Sequence, residues 1–134
     1  MIPRPALART LALVLPLMAL SACNEGRTHS APGSKVPAAR VVGDPVNCLS
    51  LTSYSQTRIR DDRTIDFIGS GGRVWRNTLP YSCPGLRAND AFTHEATNNQ
   101  ICNVDVIRVL YQGGGPHLGA SCGLGQFVPV KLEK

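Results

Sequence analysis

The sequence predicts an all-β domain, either a small antiparallel barrel or a sandwich, cross-linked by two disulfides. β-Branched and aromatic residues recur in short runs between clusters rich in glycine, proline and asparagine, which is the pattern of strands and turns. No stretch sustains the 3.6-residue period of an amphipathic helix. Four cysteines in the C-terminal two thirds form an even set, as in small exported domains.

The first predicted strands lie between residues 48 and 76. A short strand over residues 48–51 precedes a hairpin of residues 57–60 and 64–68, which turns at Asp61-Asp62. The glycine-rich residues 69–72 predict a second turn, and residues 73–76 a further strand. We expect much of the core from a set of large apolar side chains on one side of these strands, with their polar neighbours facing water. The set is Ile59, Ile65, Phe67, Trp75 and Leu79.

The C-terminal half contains the most apolar run of the domain, residues 104–111. Its valines and Ile107 favour a strand, and apolar residues on both faces predict a central position. Residues 91–94 are predicted as a short edge strand. Residues 112–119 hold four glycines and Pro116, which predicts a loop, and residues 124–132 form the last predicted strand.

The four cysteines are Cys48, Cys83, Cys102 and Cys122. Four cysteines allow three pairings, and the sequence does not choose among them. Each disulfide is expected to contribute about 3 kcal/mol by restricting the unfolded chain. A metal site would need closely spaced pairs of ligands, whereas every gap here is long, so no metal is predicted.

The N-terminus has the pattern of a secretory signal. Arg4 and Arg9 precede an apolar run over residues 11–20, about half the length of a membrane-spanning helix. The next residues, Leu20-Ser21-Ala22-Cys23, resemble the lipobox of bacterial lipoproteins. In that family the cysteine becomes the first mature residue and carries the acyl chains, so the resemblance implies lipid attachment at Cys23. The alternative is an ordinary signal peptide, with Cys23 a spare thiol.

Three segments follow from this interpretation: a signal peptide (1–22), a lipidated cysteine with a flexible tether (23–45), and a small β domain (46–134). The tether is rich in proline, glycine and alanine and poor in large apolar residues. Asn24 follows the cysteine where enterobacterial lipoproteins retained in the inner membrane have aspartate. We therefore expect an outer-membrane lipoprotein facing the periplasm, with the inner membrane as the alternative.

The charge of the chain argues against a nucleic-acid partner. Removal of residues 1–22 leaves 12 basic and 9 acidic residues. Residues 46–134 contain 9 basic and 7 acidic residues. Nucleic-acid binding needs a larger and more clustered basic excess. The expected partners are the membrane, through the lipid anchor, and either an envelope protein or anionic lipid.

Three arginines form the candidate binding patch. Arg58 and Arg60 lie two apart on one strand and so share a face, and Arg76 is expected near them across the sheet, whereas Arg73 has the opposite parity. Such a patch would attract anionic lipid or an acidic protein. The alternative is a solvated face on which these charges are balanced by acidic neighbours, namely Asp61, Asp62 and Asp66.

Candidate catalytic motifs are incomplete, so no catalytic residue and no cofactor is predicted. His94-Glu95 begins like a zinc-protease helix, but Asn98 stands where the second histidine is required. Asp61-Asp62 is interpreted as a hairpin turn, and Asp61 as a cap for backbone donors. The glycine clusters at residues 69–71 and 112–115 lack the remainder of a nucleophile elbow or a phosphate loop and are interpreted as turns.

An ordered series of motifs resembles a family of small proteobacterial envelope lipoproteins that carry a domain of unknown function. The series covers residues 46–130, and its pieces stand in this order: Asp61-x-x-Thr-Ile-x-Phe67, Asn77-x-Leu-Pro80, Cys83-Pro-Gly-Leu86, Asp105-x-Ile-x-Val109, and Cys122-Gly-Leu-Gly-x-Phe127. The resemblance implies one exported, cysteine-bridged domain. It implies no activity, ligand or catalytic residue.

These observations predict a non-enzymatic lipoprotein that binds or supports another envelope component. One alternative is a periplasmic inhibitor of an incoming hydrolase such as lysozyme, which rests on analogy of build alone. A second alternative is a small enzyme whose residues are assembled by the fold, for instance His94, His117 and an arginine.

Overall fold

The computed structural model describes residues 36–96, 98–115 and 117–134, and it confirms an antiparallel all-β domain with two disulfides. The largest sheet has five strands. In spatial order they are β1 (Ala39–Val41), β10 (Phe127–Leu132), β5 (Val74–Thr78), β4 (Thr64–Ile68) and β3 (Gln56–Ile59).

Two smaller sheets complete the described part of the chain. A three-stranded sheet has the order β6 (Phe92–His94), β8 (Val106–Tyr111) and β9 (His117–Gly123), and a two-stranded sheet pairs β2 (Cys48–Ser50) with β7 (Gln100–Cys102). The described residues also form a short helix, α1 (Leu86–Asn89), and a 3-10 turn at Ser70–Gly72. None of their helices is long and apolar enough to cross a membrane.

The predicted hairpin and the turn after it are present. β3 and β4 pair in the register Arg58↔Asp66 and Ile59↔Ile65, and the turn between them includes Asp61 and Asp62. β4 then pairs with β5 across the glycine-rich turn, in which Gly71 and Gly72 adopt positive φ values of 69° and 76°. Glycine reaches these values without the steric cost that a Cβ imposes.

The core lies between the five-stranded sheet and the two smaller sheets. Ile59, Ile65, Phe67 and Leu79 are buried as predicted, while Trp75 is only partly buried and packs against the cluster. The smaller sheets and the helix contribute further buried side chains: Leu49, Ile101, Ile107, Val109 and Leu86. One apolar cluster is thus shared by all three sheets.

Both disulfides join parts of the chain that are distant in sequence. Cys48 and Cys102 are register partners across β2 and β7, with Cα atoms 4.0 Å apart, and they link residues 54 positions apart. Cys83 pairs with Cys122 of β9, 39 positions away. Cys83 is fully buried in the core, whereas Cys48 is exposed. Of the three pairings that the sequence allowed, the structure selects this one.

Two strands include residues that the sequence predicted to lie in a tether and in a loop. Residues 39–41 were expected to be tether, yet they pair with β10 as β1, and residues 117–119, expected to be loop, begin β9. Neither segment has a strong strand composition. Each is a strand because an open edge of its neighbour supplies hydrogen-bond partners, a tertiary effect that local propensity does not contain.

The predicted central strand is shorter than expected but is central in its sheet. β8 begins at Val106, after a turn at residues 103–104, and lies between β6 and β9. Val104 is 82% exposed, so the apolar run of the sequence is longer than the buried strand. β6, predicted as an edge strand, is at the edge of this sheet.

We expect the burial of Tyr54 to make the free energy of unfolding fall in alkaline solution. Its ring meets Phe67 edge to face, with centroids 4.9 Å apart, and burial raises the pKa of its hydroxyl above the ordinary value of 10.0. The folded state therefore holds this proton more tightly than the unfolded state, so its contribution is complete below about pH 10 and falls as the pH rises through the folded pKa.

Urea unfolding on both sides of pH 10, followed by the fluorescence of Trp75, measures this effect. Tyr54→Phe should lose less stability between the two conditions than the wild type, whereas Tyr81→Phe, at a residue 83% exposed, should behave like the wild type. Equal alkaline losses in all three proteins would contradict the assignment to Tyr54.

Candidate functional site

The candidate arginine patch lies on the outer face of the five-stranded sheet. Arg58, Asp66 and Arg76 are direct cross-strand neighbours on β3, β4 and β5, and Arg60 follows β3 with its amide donating to the carbonyl of Thr64. Cross-strand neighbours project from the same face of a sheet. The alternation in the sequence therefore placed Arg58, Arg60 and Arg76 together correctly.

Asp66 is at the centre of the patch and is not solvated. Its side chain is 0% exposed, although as one of the acidic residues balancing a solvated face it was expected to meet water. Arg60 Nε donates to its Oδ2 at 2.7 Å, and Arg76 donates through Nε to Oδ1 at 2.7 Å and through Nη2 to Oδ2 at 3.0 Å. Two guanidinium groups enclose the carboxylate, and this explains how a charge is tolerated there.

The patch keeps an excess of positive charge after these pairs are formed. Arg60 and Arg76 have side chains 21% and 14% exposed, and they share the single carboxylate of Asp66. Arg58 is exposed and has no ion pair or side-chain hydrogen bond among the described residues. The four side chains together carry two net positive charges, which suits the binding of an anionic group.

The first described residues cross this face beside the patch. Arg76 Nη1 donates to the carbonyl oxygen of Pro37 at 2.9 Å, 39 positions away in sequence. The chain then enters β1, where Glu133 donates its amide to the carbonyl of Ala38. Arg76 is therefore a structural residue that joins the start of the described chain to the sheet, and Arg58 and Arg60 provide the accessible charge.

Asp61 and Asp62 stabilise the loop rather than form a carboxylate pair. Asp61 accepts a hydrogen bond from the amide of Arg63 at 2.8 Å, as its predicted capping role requires. Asp62 accepts one from the amide of Arg87 at 2.8 Å, and its carbonyl accepts the amide of Cys83. Each carboxylate thus serves a different backbone donor.

The two histidines of the alternative enzyme hypothesis lie apart. His94 of β6 is the register partner of Ile107, and His117 of β9 is the partner of Tyr111. These partners are four positions apart along β8, which is about 13 Å along the strand. His117 stacks on Tyr111 instead, with ring centroids 5.1 Å apart and an interplanar angle of 10°. Residues 36–96, 98–115 and 117–134 contain no group of three or more metal-ligating side chains.

A small open cavity of about 180 Å³ lies beside the patch, between two sheet edges. β3 contributes one side through residues that include Arg58, and Asp90, Ala91 and Phe92 contribute the other. Arg58 is one of the lining residues. It is exposed, whereas the side chains of Arg60 and Arg76 are 21% and 14% exposed, so Arg58 is the most accessible cation of the patch.

The predicted lipid attachment point, Cys23, lies outside the described residues, as do the signal peptide and the first part of the tether. The other four cysteines are paired in the two disulfides. Fold and cysteine pairing together define the class of the described region, a disulfide-bridged antiparallel β domain. Comparison with family models, curated proteins and solved structures found no match for this chain. The resemblance to the envelope lipoprotein family therefore stays a prediction.

Proposed function

We propose that this protein is a non-catalytic lipoprotein that holds its β domain at the periplasmic face of the outer membrane and there binds or supports another envelope component. The observation that carries the proposal is the cysteine pattern. Four of the five cysteines are consumed by disulfides within the domain, which leaves Cys23, at the end of the lipobox-like sequence, as the one cysteine outside them.

Disulfides of this kind suit a compartment outside the cytoplasm, where thiols are not kept reduced. The best-formed polar cluster of the domain supports a binding role over a catalytic one. Its carboxylate is 0% exposed and both of its oxygens accept hydrogen bonds from guanidinium groups of the protein, so it is not accessible to a substrate.

Metabolic labelling with palmitate in a bacterial host tests the anchor. The wild type should incorporate label, Cys23→Ala should incorporate none, and the matched control Ala22→Gly, which keeps a small residue before the cysteine, should label like the wild type. Equal labelling of the wild type and Cys23→Ala would remove the anchor from the proposal.

Membrane fractionation and crosslinking test the rest of the proposal. The labelled wild type should sediment with the outer membrane, and Asn24→Asp should shift it to the inner membrane of an enterobacterial host. In-cell crosslinking from the position of Arg58 should capture an envelope component, and crosslinking from the exposed Arg108 on the other sheet provides the control. The same products from both positions would argue against a specific partner at the patch.

A further inference from the structure

We infer that the outer face of the five-stranded sheet is the surface that this protein turns toward the membrane, where Arg58 and Arg60 contact the phosphate groups of anionic phospholipids. The inference rests on the proposed function, because it takes Cys23 as the point of lipid attachment. It adds an orientation and a ligand chemistry that the anchor alone does not specify.

The chain that leads to Cys23 joins the domain on this face. The carbonyl of Pro37 is held by Arg76 Nη1 on this face, so the chain that leads back to Cys23 departs from beside the patch. Only 14 positions separate Cys23 from Pro37, and even a fully extended chain of that length spans at most about 50 Å. A connection of that length lets the face beside which it departs reach the membrane surface.

The charges of the patch are complementary to phosphate. Arg60 uses Nε for Asp66, and its Nη groups have no hydrogen bond to other described residues. Because the bond to Asp66 fixes the guanidinium group, those donors have a defined direction, and Arg58 stands beside them on the same face. Phosphate oxygens match the fork of guanidinium donors. Asp61 and Asp62 lie in the loop that follows, where both accept backbone amides.

An exposed apolar side chain lies on the same face as the patch. Val41 is 60% exposed and belongs to the same face, because it pairs with Val130, which in turn pairs with Val74. Each basic residue near an anionic bilayer strengthens the association about fivefold. The face thus combines basic groups with an exposed apolar side chain.

The test measures the chemical accessibility of individual arginines. The full-length protein purified from cells is placed in vesicles of phosphatidylethanolamine with phosphatidylglycerol, or of phosphatidylcholine alone, and treated with phenylglyoxal. Peptide mass spectrometry then gives the rate of modification at each arginine. Arg58 should react about fivefold more slowly on the anionic vesicles than on the neutral ones. Arg108, exposed on the outer face of the three-stranded sheet, should react equally on both.

Matched variants make the test specific. Arg58→Gln should reduce the protection of Arg60 on anionic vesicles, while Arg108→Gln should leave it unchanged. Equal protection of Arg58 and Arg108, or protection of neither, would overturn the inference. Protection of Arg58 by inorganic phosphate in detergent, equal to that on vesicles at the same ionic strength, would assign the patch to free phosphate and overturn the membrane orientation. The anchor is tested separately by flotation with the neutral vesicles. A protein without a lipid anchor would not float with them.

Discussion

Asp66→Asn should lower the free energy of unfolding by about 3 kcal/mol, because it removes the buried carboxylate that the guanidinium groups of Arg60 and Arg76 share. The side chain keeps its size, so the loss is a loss of charge compensation rather than of packing. Arg60 and Arg76 would remain on the face with no counter-charge within hydrogen-bond distance. Urea unfolding of the oxidised protein, followed by the fluorescence of Trp75, measures the change.

The control for this experiment is Asp90→Asn. Asp90 is exposed and has one long ion pair, with Arg87 at 3.9 Å, so its replacement should change stability by less than about 0.5 kcal/mol. Equal effects of the two substitutions would show that Asp66 is not the centre of the cluster. A triple variant, Arg60→Met/Asp66→Leu/Arg76→Met, should recover most of the loss, because removing a whole buried ion cluster costs far less than leaving it half paired.

Removal of the Cys83–Cys122 disulfide should cost about 4 kcal/mol from loop closure, with a further loss from the core. The double variant Cys83→Ala/Cys122→Ala removes a sulfur atom that is fully buried. Deleting buried volume adds a cavity term that an exposed disulfide does not have. For a domain of this size, whose total stability is about 5–15 kcal/mol, this loss is a large fraction of the free energy of unfolding.

The comparison variant is Cys48→Ala/Cys102→Ala. Loop closure alone predicts that removing Cys48–Cys102 lowers the free energy of unfolding by about 0.3 kcal/mol more than removing Cys83–Cys122 does. The reason is that the two disulfides join residues 54 and 39 positions apart. Burial predicts the opposite order, because Cys48 is exposed. Urea midpoints of the two double variants decide between these effects. A smaller loss for Cys83→Ala/Cys122→Ala would show that burial of the disulfide adds nothing.

The fold class and the hairpin of β3 and β4 follow from local patterns in the sequence. Alternation fixes which residues of a strand share a face, so it grouped Arg58 with Arg60, and it brought Ile59, Ile65 and Phe67 to the core. The even number of cysteines predicted two disulfides. These features depend on short-range geometry and composition, and a single sequence contains both.

What the sequence did not reveal depends on partners that are distant along the chain. Residues 39–41 form a strand because β10 is beside them, and the selected disulfide pairing depends on the same long-range packing. Asp66 was expected to face water, since the alternation gives it the outward side. Its burial arises because Arg60, Arg76 and the chain at Pro37 cover it. An aspartate in mid-strand with arginines on both neighbouring strands is the pattern that predicts such a cluster once a hairpin is assigned.

The place of β10 has a consequence for the order of events during synthesis. It lies between β1 and β5 and carries the buried Phe127 and Val130, so the first and the central strands of its sheet wait for the last strand to be made. Cys122, the partner of Cys83, also emerges late. A growing chain that ends before residue 127 therefore has an unfinished core and unpaired strand edges, which are the features that chaperones recognise. This domain therefore closes only after β10 has been made.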